Sequence, residues 1–194
     1  MIVEEKQRLR EQMKARGAGW SRPGNASPAS SLVDSEIWKN ASSVLLYSAI
    51  GTEADTSLLL SAAEGRSILF PKISGESLDL YRLIPESRWI HGRFGIAEPD
   101  PQNWEPFRAS DVALALVPGL AFDLLGGRLG RGRGFYDRLL REGLFHGIKV
   151  GYAWDWQLVD KVPCEQHDIR MDYIVTERKL LQVGSGLDKP AERG

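Results

Sequence analysis

A single cysteine, Cys164, stands in a chain of 194 residues, and that scarcity rules out a disulfide framework or a cysteine-based zinc finger. Histidine is almost as sparse, with three. Cys164 and His167 fall at C-x-x-H spacing, but a zinc site needs three or four protein ligands, so the pair reads as incidental. No stretch approaches the ~18 apolar residues that cross a bilayer, and the opening MIVEEKQRLREQ has no apolar core of a signal peptide. Excess charge is missing too. With 25 basic residues against 26 acidic ones the formal net charge is −1, so nothing global steers the chain toward nucleic acid or a membrane. Any anion site must be local. These absences leave a soluble, cytoplasmic protein, and its length suits one domain at roughly 100–200 residues per domain.

Apolar residues make up 42% of the chain, and their order suggests strands alternating with helices. Residues 3–16 are helix formers with a thin apolar stripe, Leu9 and Met13. Residues 17–31 are turn formers and read as a loop, after which Ser31 or Asp34 is placed to cap a short helix through Ile37 and Trp38. Ser43–Ile50 is a short apolar run before Gly51. Asp55 and Thr56 then offer N-caps for a helix through Leu58–Glu64. Further strands are expected at 67–70, stopped by Pro71, at 78–84, at 112–117, at 148–153 and at 173–176, with a helix over 135–141. This alternation predicts a single-domain α/β fold around a mainly parallel sheet with helices on both faces. Residues 184–194 are polar and read as a tail beyond a domain of residues 1–183.

Glycine is the compositional exception. Five of the 20 glycines lie within nine residues, at 126, 127, 130, 132 and 134, interleaved with Arg128, Arg131 and Arg133. This loop follows the strand 112–117 and precedes the helix expected at Phe135. Glycines let backbone amides turn against phosphate oxygens, and guanidinium forks match those oxygens geometrically. A solvated surface turn is the alternative, but three arginines held together with no counterion are costly. Walker and dinucleotide patterns do not fit: Gly132 is followed by Arg133 rather than lysine, and Asp137 stands where a third glycine would complete G-x-G-x-x-G. Asp137 reads either as a helix-start carboxylate or as a magnesium contact.

Several segments carry a resemblance. VPGLAFD at 117–123, followed by G-x-RLGRGRGFYD, resembles the signature of the 5-formyltetrahydrofolate cyclo-ligase family, the methenyltetrahydrofolate synthetases. KQRLR at 6–10, Glu53-x-Asp55-Thr56, FGIAEP at 94–99 and VPCEQHDIRMDYIVTE at 162–177 are similar to further family segments in the same order. Phe135 and Arg133 depart from it: tyrosine is usual at the first, glycine or lysine at the second. The resemblance implies a NagB/RpiA-like three-layer fold. It also implies an enzyme that uses ATP and magnesium to convert 5-formyltetrahydrofolate to 5,10-methenyltetrahydrofolate, a monomer with small-molecule partners only. In that reading Lys6 and Arg10 contact ATP phosphates from one helix face, with Arg128, Leu129, Gly130, Arg131, Gly132, Arg133, Gly134, Phe135 and Tyr136 wrapping them. Arg131 meets the γ-phosphate and transition-state charge, Asp137 and Asp168 hold magnesium, and Ser48, Glu53 and Tyr152 line the folate side. Trp154 and Trp156 are aromatics that could flank a ring but suit the core better. A non-catalytic nucleotide- or folate-binding paralogue is the alternative.

Overall fold

The computed structural model describes residues 1–183 except 25, 93, 94 and 142. The expected tail and the phenylalanine of FGIAEP lie outside the described residues. In chain order the helices are α1 (Ile2–Ala18), α2 (Pro28–Val33), α3 (Glu36–Lys39) and α4 (Phe135–Leu139). The strands are β1 (Ser43–Leu45), β2 (Ser67–Ser74), β3 (Ser77–Arg82), β4 (Trp89–His91), β5 (Ala97–Pro99), β6 (Glu105–Phe107), β7 (Leu114–Val117), β8 (Ala121–Phe122), β9 (Arg128–Leu129), β10 (Ile148–Tyr152), β11 (Tyr173–Val175) and β12 (Leu180–Gln182).

Eight strands form one sheet in the order β12-β11-β10-β7-β1-β2-β3-β6. Its centre, from β11 to β2, is parallel, and antiparallel ladders extend both edges. Alternation along β1 and β7 splits the core. Val44, Leu114 and Leu116 face α2, α3 and Leu59, while Leu45, Ala115 and Val117 face Leu139, Leu140 and Phe122. These positions are fully buried on the strands, as the continuous run VALALV requires of a strand covered twice.

The structure corrects several local expectations. The segment 17–31 is not loop throughout, because Ser27 caps α2 with Pro28 at its first position. Neither Ser31 nor Asp34 caps the next helix; Ser35 does, accepting from the Trp38 amide, and Asp34 ends α2. Beyond β1 the chain leaves the ladder at Leu45, so the strand expected to reach Ile50 is three residues long. The helix expected at 58–64 is a 3-10 helix over Ser57–Ala62, because the Thr56 hydroxyl donates to the Tyr47 carbonyl at 2.8 Å instead of capping. Pro71 does not stop β2. By that point β1 has ended, and Pro71 pairs only with Leu80 of β3, where its missing N–H disrupts no ladder. The helix expected over 135–141 ends at Leu139. Tyr152 and Trp154 both belong to the core, Trp154 with its ring 4.7 Å from that of Trp20.

Candidate active site

A cleft of about 790 Å³ opens beyond the carboxyl ends of β1 and β7, toward the upper end of the ~300–1,000 Å³ usual for ligand sites. Its lining combines two chemistries: Lys6, Arg10, Arg128, Arg131, Arg133 and Arg141 are basic, and Pro71, Ile73, Leu78 and Ile96 are apolar. Arg138 joins them, donating to the Glu76 carbonyl in the turn between β2 and β3 at 2.7 Å.

The glycine and arginine segment is more ordered than its composition suggests. Its first part closes the hairpin β8–β9, whose turn is tied by Asp123: Oδ1 accepts from the Leu125 and Gly127 amides and Oδ2 from the Val162 amide. Gly126 adopts φ +82°, and a Cβ there would lie 2.6 Å from the Met171 carbonyl oxygen, so this glycine is fixed by packing rather than by a ligand. Gly126 and Gly127 therefore serve the turn, and Gly130, Gly132 and Gly134 line the cleft. Gly134 turns into α4 with φ +67°.

The cations are held in place by the protein. Arg128 donates from Nη2 to both oxygens of Asp137 at 3.0 Å and from Nη1 to the Pro118 carbonyl at 3.2 Å. Arg131 donates from Nε to Glu53 Oε1 at 2.9 Å and from Nη2 to the Ile50 carbonyl at 3.0 Å. Glu53 Oε2 accepts from the Ile50 amide, which pins this carboxylate at the end of the β1 loop. On α1, Arg10 donates to the Gly130 carbonyl at 3.1 Å, while Lys6, one turn earlier on the same face, turns to Glu165 and Asp168. Burial pushes the Tyr136 phenol far above its usual range; the Glu53 charge adds to this and Arg128 opposes it.

Lys6 donates to Glu165 at 2.7 Å and Asp168 at 2.6 Å. Burial alone would lower its pKa, yet the two carboxylates outweigh burial and hold the ammonium above its ordinary value. Asp168 behaves in mirror image: burial would raise it, but the Glu165 amide and Lys6 hold it below the usual carboxylate range. Among the described residues, the one group of metal-ligand type is Glu165, His167 and Asp168, whose ligand atoms lie within 4.8 Å of one another. Hard oxygen donors already gathered around an ammonium suit a magnesium ion. Asp137 lies outside that group but beside it: both its oxygens accept from Arg128, and Oδ1 also accepts from the amide of Ile169, next to Asp168, at 3.4 Å. Cys164 is not part of it either.

Of the residues expected to bind, Lys6, Arg10, Ser48, Glu53, residues 128–136, Asp137 and Asp168 all line this cleft. Tyr152 does not. It is 1% exposed, packs edge-on against Tyr47 with ring centres 6.4 Å apart, and lies beneath the cleft rather than in it. Sequence reasoning missed Glu165 and Glu98. The signal for Glu165 was its place three residues before Asp168; for Glu98 it was a carboxylate set between Ala97 and Pro99.

Parallel strands in the order β2-β1-β7-β10-β11, the 2-1-3-4-5 order of a doubly wound sheet, with a basic cleft at their carboxyl ends define an α/β protein of the nucleotide-binding type of architecture. The chain matches the profile of the 5-formyltetrahydrofolate cyclo-ligase family over residues 2–177, and it belongs to that family. It is 33% identical over 146 residues to the 5-formyltetrahydrofolate cyclo-ligase of Escherichia coli K12, covering 72% of this chain and 80% of that protein. The enzyme of that name from Mycolicibacterium smegmatis is 31% identical over 144 residues, covering 70% of this chain and 74% of the other. Its fold matches the solution structure of Aquifex aeolicus 5,10-methenyltetrahydrofolate synthetase with a TM-score of 0.80 and 31% identity over 97% of each chain. No helix among the described residues is long and apolar enough to cross a membrane.

Proposed function

We propose that this protein closes the ring of 5-formyltetrahydrofolate to 5,10-methenyltetrahydrofolate, using ATP and releasing ADP and phosphate. The observation that carries the reading is convergence: cations from α1 and from a loop 120 positions later meet on one cleft that also has an apolar lining. A formyl oxygen is a poor leaving group. Transfer of the γ-phosphoryl group onto it breaks the bond to ADP and makes a good one. The neighbouring folate nitrogen then adds to the formyl carbon, loses its proton, and phosphate departs. Such transfer needs positioning and charge neutralisation rather than a covalent nucleophile.

The residues divide that work. Lys6 and Arg10 orient the phosphate chain from α1, and residues 128–136 surround it. Arg131 leaves Glu53 to meet charge developing on the transferred group. Asp137 and Asp168 would hold magnesium, which when bound would supply neutralising charge to the phosphates. Ser48 and Glu53 border the folate, and Glu53 keeps acceptor capacity beyond its present two bonds, since a carboxylate has about four lone-pair sites. The protein works as a cytoplasmic monomer on small molecules. Incubation with magnesium, ATP and 5-formyltetrahydrofolate should yield the methenyl product by absorbance with ADP in equal amount. Folate binding without ADP formation overturns the catalytic reading.

A further inference from the structure

Glu98 is a buried carboxylate of the cleft with one oxygen left without a hydrogen-bond donor among the described residues. It sits on β5, 3% exposed, and forms part of the cleft wall with Ile96 and Ala97. One oxygen, Oε2, accepts from Lys72 at 3.2 Å; the other, Oε1, is buried and has no donor among the described residues. Gly92 closes over the other side of the group, where a Cβ would lie 2.1 Å from Cδ and 2.3 Å from Oε2. The wall therefore fixes the side chain from behind while leaving Oε1 with no donor. A buried acceptor left unpaired costs free energy unless a ligand supplies the donor.

The neighbours narrow what that donor is. Pro71, Ile73, Leu78 and Ile96 make the surrounding surface apolar, so the ligand there is a flat or apolar body rather than another phosphate. A carboxylate would repel a phosphate in any case. Glu53, the other acid bordering this part, already accepts from Arg131 and the Ile50 amide. Ser48 does not compete, because its hydroxyl donates to the Ala97 carbonyl at 2.7 Å and so helps to seat β5.

We propose that Glu98 reads the ring N–H donors of the folate substrate: Oε1 accepts from the amino and amide N–H groups on the pyrimidine edge, and Lys72 holds Oε2. This rests on the proposed function for the identity of the ligand. Glu98 is thus a specificity residue for a heterocycle bearing exocyclic amino donors, and Lys72 is its positioning partner.

The test compares two ligands by calorimetry: 5-formyltetrahydrofolate and its 2-desamino-2-methyl analogue, which lacks the amino donor. Each is titrated into the wild type and into the double variant Glu98→Leu, Lys72→Met, which removes the buried pair together. A hydrogen bond to a charged acceptor predicts that the double variant binds the parent folate about tenfold to a hundredfold more weakly. ATP affinity and the unfolding temperature should change little. The analogue, which keeps the ring amide N–H and lacks only the amino donor, should lose clearly less affinity than the parent on going to the double variant, since its missing donor and the missing acceptor share part of one contact. Unchanged folate affinity, or equal losses for both ligands, overturns the proposal. Should the double variant not fold, Glu98→Gln keeps the shape with a neutral acceptor. It should shrink the preference of the wild type for the parent over the analogue, and an unaltered preference overturns the proposal. Product formation by the wild type is measured separately. If none appears while the ligand preference stands, the proposed reaction falls and the Glu98 contact survives; if the wild type binds neither ligand, both fall.

Discussion

The two ends of the cleft are prepared for their ligands in opposite ways. At the basic end, Lys6, Arg128 and Arg131 each hold a carboxylate already, so under the proposed function a phosphate competes with Glu165, Asp168, Asp137 or Glu53 for them. At the apolar end the lining is aliphatic, and Glu98 keeps an oxygen that no described residue uses. Exchange of one partner for another yields a modest net gain but fixes geometry in advance. Burial of apolar area yields affinity with little direction. Positioning therefore belongs to the basic end and grip to the apolar end, and substitutions in the two should separate turnover from binding.

The largest expected effect lies at the junction. Arg131 is 46% exposed at its side chain, and Glu53, its partner, is 6% exposed, so Arg131 can move while Glu53 stays. Arg131→Ala should lower kcat on the order of 100-fold, because a transition-state charge contact is worth ~3 kcal/mol. KM for folate should move little, and circular dichroism should show the fold intact. Equal loss in both KM values and none in kcat would place Arg131 in simple binding and erase the division of labour.

Lys6→Met tests the basic end away from the reaction. It removes an ammonium that is 11% exposed and leaves Glu165 and Asp168 facing each other. The KM for ATP should rise roughly tenfold, the scale of a charge-assisted hydrogen bond, with the folate KM unchanged. Ile73→Ala tests the opposite wall. Removing partly buried methylene groups costs ~1 kcal/mol, so the folate KM should rise about fivefold with ATP unaffected. Steady-state kinetics with each substrate varied in turn reads both, and a shared effect on the two substrates would show that the walls do not act separately.

How much of this was visible in the chain depends on the range of the interactions involved. VALALV at 112–117 marks β7 because a strand covered on both faces has no polar alternation to lose. The glycine and arginine loop marks the phosphate end because residue types and spacing sufficed there. Short strands such as β4, β8 and β9 carried no such signal; two or three residues cannot display a period, and partners across the hairpins define them. Tyr152 failed for a related reason. An aromatic at a strand end suits a ligand wall or a core equally, and only the fold shows that it packs on Tyr47 beneath the cleft. Glu53 was legible as an acid after β1, but its pairing with Arg131, 78 residues away, was not.

The smallest expected effect is a dependence on pH. Three buried phenols near or beneath the cleft respond to alkali. Burial raises the pKa of Tyr47 well above its usual value, that of Tyr136 similarly, and that of Tyr152 to about 12. A group raised on folding leaves stability untouched below its unfolded pKa, near 10 for tyrosine. Above that, the unfolded chain ionises while the folded one cannot, and the contribution is lost as pH climbs through the folded value. The unfolding temperature of the wild type should therefore hold level from pH 8 to pH ~10 and fall beyond it. Tyr152→Phe forfeits the hydroxyl's 3.5 Å contact to the Asp55 carbonyl and its hydrogen bonds with Ser27 and the Ala29 backbone, and has no proton to release, so its alkaline decline should be shallower by a few degrees, on the order expected for 1 kcal/mol. Parallel declines in the two proteins would assign the alkaline loss to groups other than this buried ring.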